Sequence, residues 1–129
     1  AAMALRNPSA AELAPLEQAT TDMEMALVEK NLDAWAEADD RFHLTLLEMQ
    51  GNRRLKGFVE SLYDQVHRAR VVTLRMRNLP TKSTAEHRDI LEHLRRGDAV
   101  ATREAFRHHR QRAAKELLDI LEKYKLGQL

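Results

Sequence analysis

The sequence predicts an all-α fold, an antiparallel bundle of about six helices, and its residue patterns carry this prediction. Apolar residues recur at spacings of three and four almost throughout the 129 residues, and no segment alternates as a half-buried strand does. Most of the 4 glycines and 3 prolines fall between the periodic segments. With 43% hydrophobic and 32% charged residues, the composition suits one folded domain over residues 1–129.

The first two predicted helices have apolar stripes and defined ends. Ser9 and Glu12 have the spacing of a capping box, and the helix that they open continues to about residue 30. Pro15 either kinks this helix or delays its start. The second helix covers about 33–50 and stops at Gly51, a residue type that tolerates the left-handed conformation. The two predicted buried faces consist of Leu13, Leu16, Thr20, Met23 and Leu27, and of Trp35, Ala38, Phe42, Leu46 and Met49.

Three further helices follow. A long helix is predicted over about 53–78, and Pro80 ends it. Residues 83–86, Ser-Thr-Ala-Glu, form a second predicted capping box that opens the next helix. Asp98 caps the last helix, which is predicted to fray at 126–129. The apolar arc of the long helix runs through Leu55, Phe58, Val59, Leu62, Val66, Ala69 and Thr73.

Charge is distributed unevenly, although the formal net charge is only +1. Residues 1–67 carry 6 basic and 12 acidic side chains, residues 68–112 carry 12 and 5, and residues 113–129 carry 3 and 3. We interpret the basic segment as the partner of acidic helices rather than a nucleic-acid surface, because no aromatic stacking platform accompanies it. The lack of cysteine excludes disulfides and thiolate metal sites, and no apolar run approaches the roughly 20 residues of a membrane span. We therefore expect a soluble, cytoplasmic protein.

Four polar side chains lie on the predicted apolar faces of three different helices. On the helical wheel, Asp39 and His43 fall within about 80° of Trp35. His87 and His109 likewise share the apolar faces of their own helices. Bundles build metal sites from facing side chains, and imidazole with carboxylate suits Zn, Ni, Mn, Co or Fe, so we predict a divalent metal site. The alternative is a hydrogen-bonded core network in which an arginine neutralises the aspartate.

The long helix adds cations and a phenol to this prediction. Arg70, Arg77 and Tyr63 lie within about 80° of Leu55 on the wheel. An inward arginine needs an anion, which is either Asp39 or a carboxylate ligand held by the guanidinium fork. We therefore predict these three residues as contacts of a carboxylate ligand, with exposure at the bundle end, above all for Arg77, as the alternative.

Three segments, taken in order, resemble the FCD ligand-binding domain of GntR-family transcription regulators. The first is residues 39–43, Asp-Asp-Arg-Phe-His, followed by Gly-Asn at 51–52. The second is residues 86–91, Glu-His-Arg-Asp-Ile-Leu, followed by Gly-Asp at 97–98, and the third is residues 105–109, Ala-Phe-Arg-His-His. The resemblance covers nearly the whole chain, and its specificity lies in the ordered set.

The resemblance implies more than the helical wheels do. Asp39, His43, His87 and His109 match the residues that coordinate a divalent cation in metal-binding members of the family. It implies a small organic acid at or beside the metal, a homodimer, and a winged-helix DNA-binding domain N-terminal to this one. No winged helix is recognisable in residues 1–129, so we expect this chain to contact DNA only through that missing domain.

Two other functions compete with a sensory domain that is not an enzyme. One is a hydrolase-like metalloenzyme with an activated water, which is weakened because no further inward Glu or Asp is apparent as a general base. The other is a structural dimerisation bundle in which a metal only stabilises the fold.

Overall fold

The computed structural model is a bundle of six α-helices, and residues 1–124, which the structure describes, contain no strand. The description does not extend to residues 125–129 or to the side chain of Val66, so the predicted fraying at 126–129 lies outside it. The predicted all-α bundle is confirmed. In chain order the helices are α1 (Ala2–Leu5), α2 (Ala10–Val28), α3 (Leu32–Met49), α4 (Arg53–Leu74), α5 (Thr81–Arg95) and α6 (Ala99–Lys123).

Several helix ends follow the sequence signals. The backbone N–H of Glu12 donates to Ser9 Oγ at 3.1 Å, and the Ser9 N–H donates to the Glu12 carboxylate at 3.3 Å, which confirms the capping box of α2. Pro15 lies inside α2, so it does not delay the start of the helix. Asn31 caps α3, and Asp98 caps α6 as predicted, each by accepting a hydrogen bond from a first-turn backbone N–H.

The link between α4 and α5 differs from the prediction. Helix α4 ends at Leu74, about one turn before the predicted end, and α5 already begins at Thr81 with Pro80 at its N-cap. The predicted capping box at Ser83 is therefore wrong, because the φ angle of Pro80 suits a helix start and moves the first turn upstream. Thr84 is buried within that turn, and its hydroxyl accepts a hydrogen bond from the Trp35 indole at 2.8 Å.

The helices pack around one apolar core. Helix α2 packs against α3 and α5, α5 packs against α6, and α3 packs against α4. Arg88 of α5 forms ion pairs with Glu17 and Glu24 of α2 at 2.6 and 2.9 Å, so part of the basic segment does partner an acidic helix. Within residues 1–124, no helix is at once long enough and apolar enough to cross a bilayer. The largest fully buried apolar side chains are Leu13, Leu16, Met23, Trp35, Phe42, Leu74, Ile90, Leu91 and Leu94.

Helix α4 is the exception to this packing. Its predicted apolar stripe is present, but Leu55, Phe58 and Leu62 remain 38%, 63% and 39% exposed, whereas Thr73 at the far end of the stripe is buried. The physical reason is that α4 packs mainly against one helix, α3. The stripe instead borders an open cavity.

Candidate metal centre

Three helices bring the four predicted ligands together at the centre of the bundle. Asp39 and His43 lie one turn apart on α3 and therefore point the same way. His87 lies on α5 and His109 on α6. His87 is completely buried, Asp39 and His109 are buried to within a few per cent, and His43 is partly exposed toward the cavity.

Three donor atoms form a nearly equilateral triangle. The Oδ1 atom of Asp39 lies 3.3 Å from the Nε2 atoms of both His43 and His87, and those two Nε2 atoms are themselves 3.3 Å apart. His109 completes the group, since one ligand atom from each of the three histidines lies within 4.8 Å of the others. A neutral imidazole has only one N–H, so the ring nitrogens and the carboxylate oxygen that meet here bring their lone pairs together. A cation stabilises such an arrangement.

These residues fit a divalent metal ion. Metal–nitrogen distances of about 2.0–2.1 Å in a tetrahedral site place ligand atoms about 3.3–3.4 Å apart, and the triangle has this spacing. The donor set of imidazole with carboxylate suits borderline metals such as zinc. The Nδ1 atom of His87 is buried without a hydrogen-bond partner among residues 1–124, so the polar contacts of this ring all lie on its Nε2 side, toward the triangle.

Glu86 of α5 fixes the orientation of His109. Its carboxylate binds His109 Nδ1 at 2.5 Å, which directs the Nε2 atom of the ring away from Glu86. Arg112 of α6 binds the same carboxylate and also donates to Ser83 at 2.7 Å. Our prediction had placed Glu86 in a helix cap. In the structure it holds a candidate ligand, as carboxylates behind metal-bound histidines commonly do.

Burial and charge set the protonation of the centre. Burial raises the pKa of Asp39, but the hydrogen bond and charge of His43, with the charges of Arg70 and His87, outweigh it and hold the pKa well below its usual range. Burial lowers the pKa of His87 to about 3, against the opposing charge of Asp39. Burial also lowers the pKa of His109, although Glu86 opposes this. At neutral pH the centre therefore presents a carboxylate with neutral buried imidazoles, the protonation states that bind metal.

A second cluster connects α4 to this centre. Nη1 of Arg70 lies 3.0 Å from Asp39 Oδ2 and also contacts the carboxylate of the buried Asp40. Asp40 in turn binds Nδ1 of His67 at 2.5 Å, and the Tyr63 ring stacks on the His67 ring. Burial, followed by the neighbouring Asp40 carboxylate, raises the pKa of Tyr63 to about 12. The predicted need of Arg70 for an anion is thus met by two aspartates.

Arg77 does not belong to either cluster. It lies in the link after the end of α4, and its Nη1 pairs with Glu116 of α6 at 3.1 Å. Only 13% of its side chain is exposed, and it is not among the residues that line the cavity. The prediction of Arg77 as an effector contact is corrected accordingly, because the helical wheel that placed it assumed four more residues of helix.

A cavity of about 690 Å³ opens beside the centre. Asp40, His43, Tyr63 and Arg70 line its polar end, so two of the three predicted effector contacts border it. Asp40 and Glu86 also correct the expectation that no further acidic residue lies near the centre. Both carboxylates are already bound to a histidine and an arginine, so neither is free to act as a general base.

The fold and this site define a class of protein, an all-α domain with a histidine-rich polar centre beside a ligand-sized cavity. The family model for the FCD domain matches residues 1–112, and the chain belongs to this family. The predicted resemblance is confirmed. FCD domains belong to transcription regulators, which are not enzymes. Comparison with curated proteins and comparison with solved structures each give no match.

Proposed function

We propose that this FCD domain is the effector-sensing part of a bacterial GntR-family transcription regulator. In this proposal Asp39, His43, His87 and His109 bind one divalent metal ion, and the donor set admits Zn, Ni, Mn, Co or Fe. The observation that carries the proposal is the triangle of Asp39 Oδ1 and two histidine Nε2 atoms with sides of 3.3 Å. Four polar groups converge in the core, which is costly without a cation to bind them.

The proposed effector is a carboxylate bound at the polar end of the cavity. A bound divalent cation supplies a Lewis-acidic positive charge for a carboxylate oxygen. Arg70 contacts the two aspartates through Nη1, and within residues 1–124 its Nε and Nη2 form no hydrogen bond and can donate to an anion. Tyr63 keeps its proton at neutral pH, because its pKa is about 12, and it lies with Asp40 at the polar end of the cavity.

The proposal also covers assembly and output. Residues 1–129 form a single ligand-binding and dimerisation domain of a homodimer, and a winged-helix domain N-terminal to it contacts DNA in the cytoplasm. Helix α4 contributes Tyr63 and Arg70 to the cavity and has α3 as its main neighbour. Effector binding shifts the population of α4 positions, and hence the spacing of two DNA-binding domains across the dimer.

Metal analysis of purified protein tests this proposal. We expect one divalent ion per chain in the unaltered protein and in His108→Ala, whose side chain is exposed on α6. We expect His109→Ala, one residue further along, to lose most of its metal together with its affinity for carboxylates, because only His109 faces the centre. Full metal content in both His87→Ala and His109→Ala would contradict the proposed ligand set.

Melting curves separate sensing from the two rival functions. We expect small carboxylates to raise the Tm of the metal-loaded protein and to leave the Tm of the chelated protein unchanged. A chelator-sensitive Tm without any carboxylate effect would instead favour a structural metal. Turnover of a small ester or phosphate that stops on chelation would favour a metalloenzyme.

A further inference from the structure

The cavity extends well beyond its polar end. Its volume of about 690 Å³ lies in the range of about 300–1,000 Å³ that is typical of sites for drug-sized ligands. A small dicarboxylic or hydroxy acid bound between His43 and Arg70 would leave most of this volume to water. The residues that line the remainder therefore indicate what the rest of the ligand is made of.

On three helices, these residues lie to the same side of the candidate metal centre along the helix axis. A lining residue lies seven positions from each candidate ligand histidine: Gln50 at the C-cap of α3, Leu94 on α5 and Thr102 on α6. Seven residues of helix span about 10 Å. Helices α3 and α5 run in the same direction, since Trp35 contacts Thr84 and, further along both helices, His43 contacts His87. Helix α6 runs the opposite way, since Arg112 contacts Ser83 and His109 contacts Glu86, so its backward step points the same way as the forward steps of the other two. The cavity thus runs about 10 Å along the bundle, away from the metal centre.

This stretch of the cavity is apolar. Leu47 of α3 and Phe106 of α6 line it, and both are partly exposed. Helix α4 adds Val59, which is partly exposed, and Leu62, which is 39% exposed. Apolar surface left in contact with water is unfavourable, and an apolar ligand body would remove it from water.

Three arginines border the cavity along one face of α6. Arg103, Arg107 and Arg110 follow one another at intervals of four and three residues, so they share a face. Within residues 1–124, none of the three forms an ion pair, whereas Arg112 nearby forms two. This row makes the approach to the cavity electropositive and favours an anionic ligand over a neutral apolar one.

We infer that the ligand class of this cavity is a monocarboxylic acid with an extended apolar chain. The inference rests on the proposed function for the position of the carboxylate, which binds at the metal centre and Arg70. The chain then lies along Leu47, Val59 and Phe106 toward the far end of the cavity. Compact polyhydroxy acids and short dicarboxylates lack the apolar body that this stretch of the cavity accommodates.

A chain-length series tests the inference on the Zn²⁺-loaded protein. We expect the Kd of unbranched monocarboxylates from acetate to octanoate to fall about three- to fourfold per added methylene, the factor that corresponds to burying one CH₂ group. We also expect butyrate to bind more tightly than succinate, because a second carboxylate would lie against apolar side chains. A Kd that is independent of chain length, or tightest binding by succinate, would overturn the inference.

A matched pair of variants on α4 tests where the apolar chain of the ligand lies. Val59→Gln places a polar group inside the cavity, and Val72→Gln makes the same change at a 52% exposed position outside it. We expect Val59→Gln to weaken octanoate binding on the order of tenfold with acetate unchanged, and Val72→Gln to alter neither. Equal octanoate affinity in both variants, with equal Tm values, would overturn the placement.

The two proposals fail in different ways. If the chain-length dependence survives chelation undiminished, the metal-bound position of the carboxylate is wrong and the apolar class of ligand stands. If chelation abolishes carboxylate binding but chain length has no effect, the sensory metal centre stands and the apolar class is wrong.

Discussion

Helices α2 and α4 have comparable apolar stripes in the sequence, but the folded protein uses them differently. Leu13 and Leu16 of α2 are fully buried between α3 and α5. Leu55 and Leu62 of α4 line the cavity and remain 38% and 39% exposed, and Phe58 of the same stripe is 63% exposed. Periodicity identifies a face that is stabilised by leaving water, and it does not say whether a helix or a ligand covers that face. The neighbours in the fold decide this, and here they place α2 in the core and α4 beside the cavity.

The largest expected effect tests this comparison with two phenylalanines. Phe42 is fully buried and packs on His87 with ring centroids 4.5 Å apart, whereas Phe58 is 63% exposed. We expect Phe42→Ala to lower the free energy of unfolding by about 3–5 kcal/mol, because it leaves a cavity in the core. We expect Phe58→Ala to change it by less than about 0.5 kcal/mol.

Urea unfolding of the metal-free protein measures both changes under the same conditions. Similar losses in the two variants would mean that the stripe of α4 is as well packed as the core, and the distinction between the two regions would then be lost.

The sequence predicts the candidate site where a polar residue interrupts an apolar stripe. Asp39, His87 and His109 were found this way, because a spacing of 3.6 residues places them among core side chains. Asp40 and Glu86 were missed, because each lies off the stripe of its own helix and binds partners from a neighbouring helix.

The neighbours responsible are specific. Helix α4 places His67 and Arg70 on Asp40, and α6 places His109 and Arg112 on Glu86. A helical wheel contains one helix, so it cannot show which side chains a second helix covers. For the same reason it failed for Arg77, where it assumed that α4 continues, although the helix ends at Leu74.

The next effect is on metal affinity, and it tests the support that Glu86 gives to His109. We expect Glu86→Gln to weaken metal binding about 10- to 100-fold, the usual result of removing a carboxylate behind a ligand histidine. The amide retains the shape of the side chain but loses the charge that pairs with Arg112 and orients the ring. Competition with a chromophoric chelator measures the metal Kd.

Asp89→Asn is the matched control, because Asp89 is exposed three residues further along α5. We expect its metal Kd to equal that of the unaltered protein. If Glu86→Gln also leaves the metal Kd unchanged, His109 either is not a ligand or is oriented without Glu86.

Counted per pH unit, the smallest effect is a dependence of stability on pH in the chelated protein, and it arises at the buried histidines of the metal centre. The pKa of His87 is about 3 in the folded protein and about 6.5 in the unfolded chain, so between these values only the unfolded chain binds the proton. The free energy of unfolding therefore falls with decreasing pH below about 6.5, by about 1.4 kcal/mol per pH unit. His109 shifts in the same direction and adds to the loss, while the lowered pKa of Asp39 adds to it only below about pH 4. Denaturation at a series of pH values should give this slope in His108→Gln and a smaller one in His87→Gln, and an unchanged slope in both would show that His87 is not buried as a neutral ring.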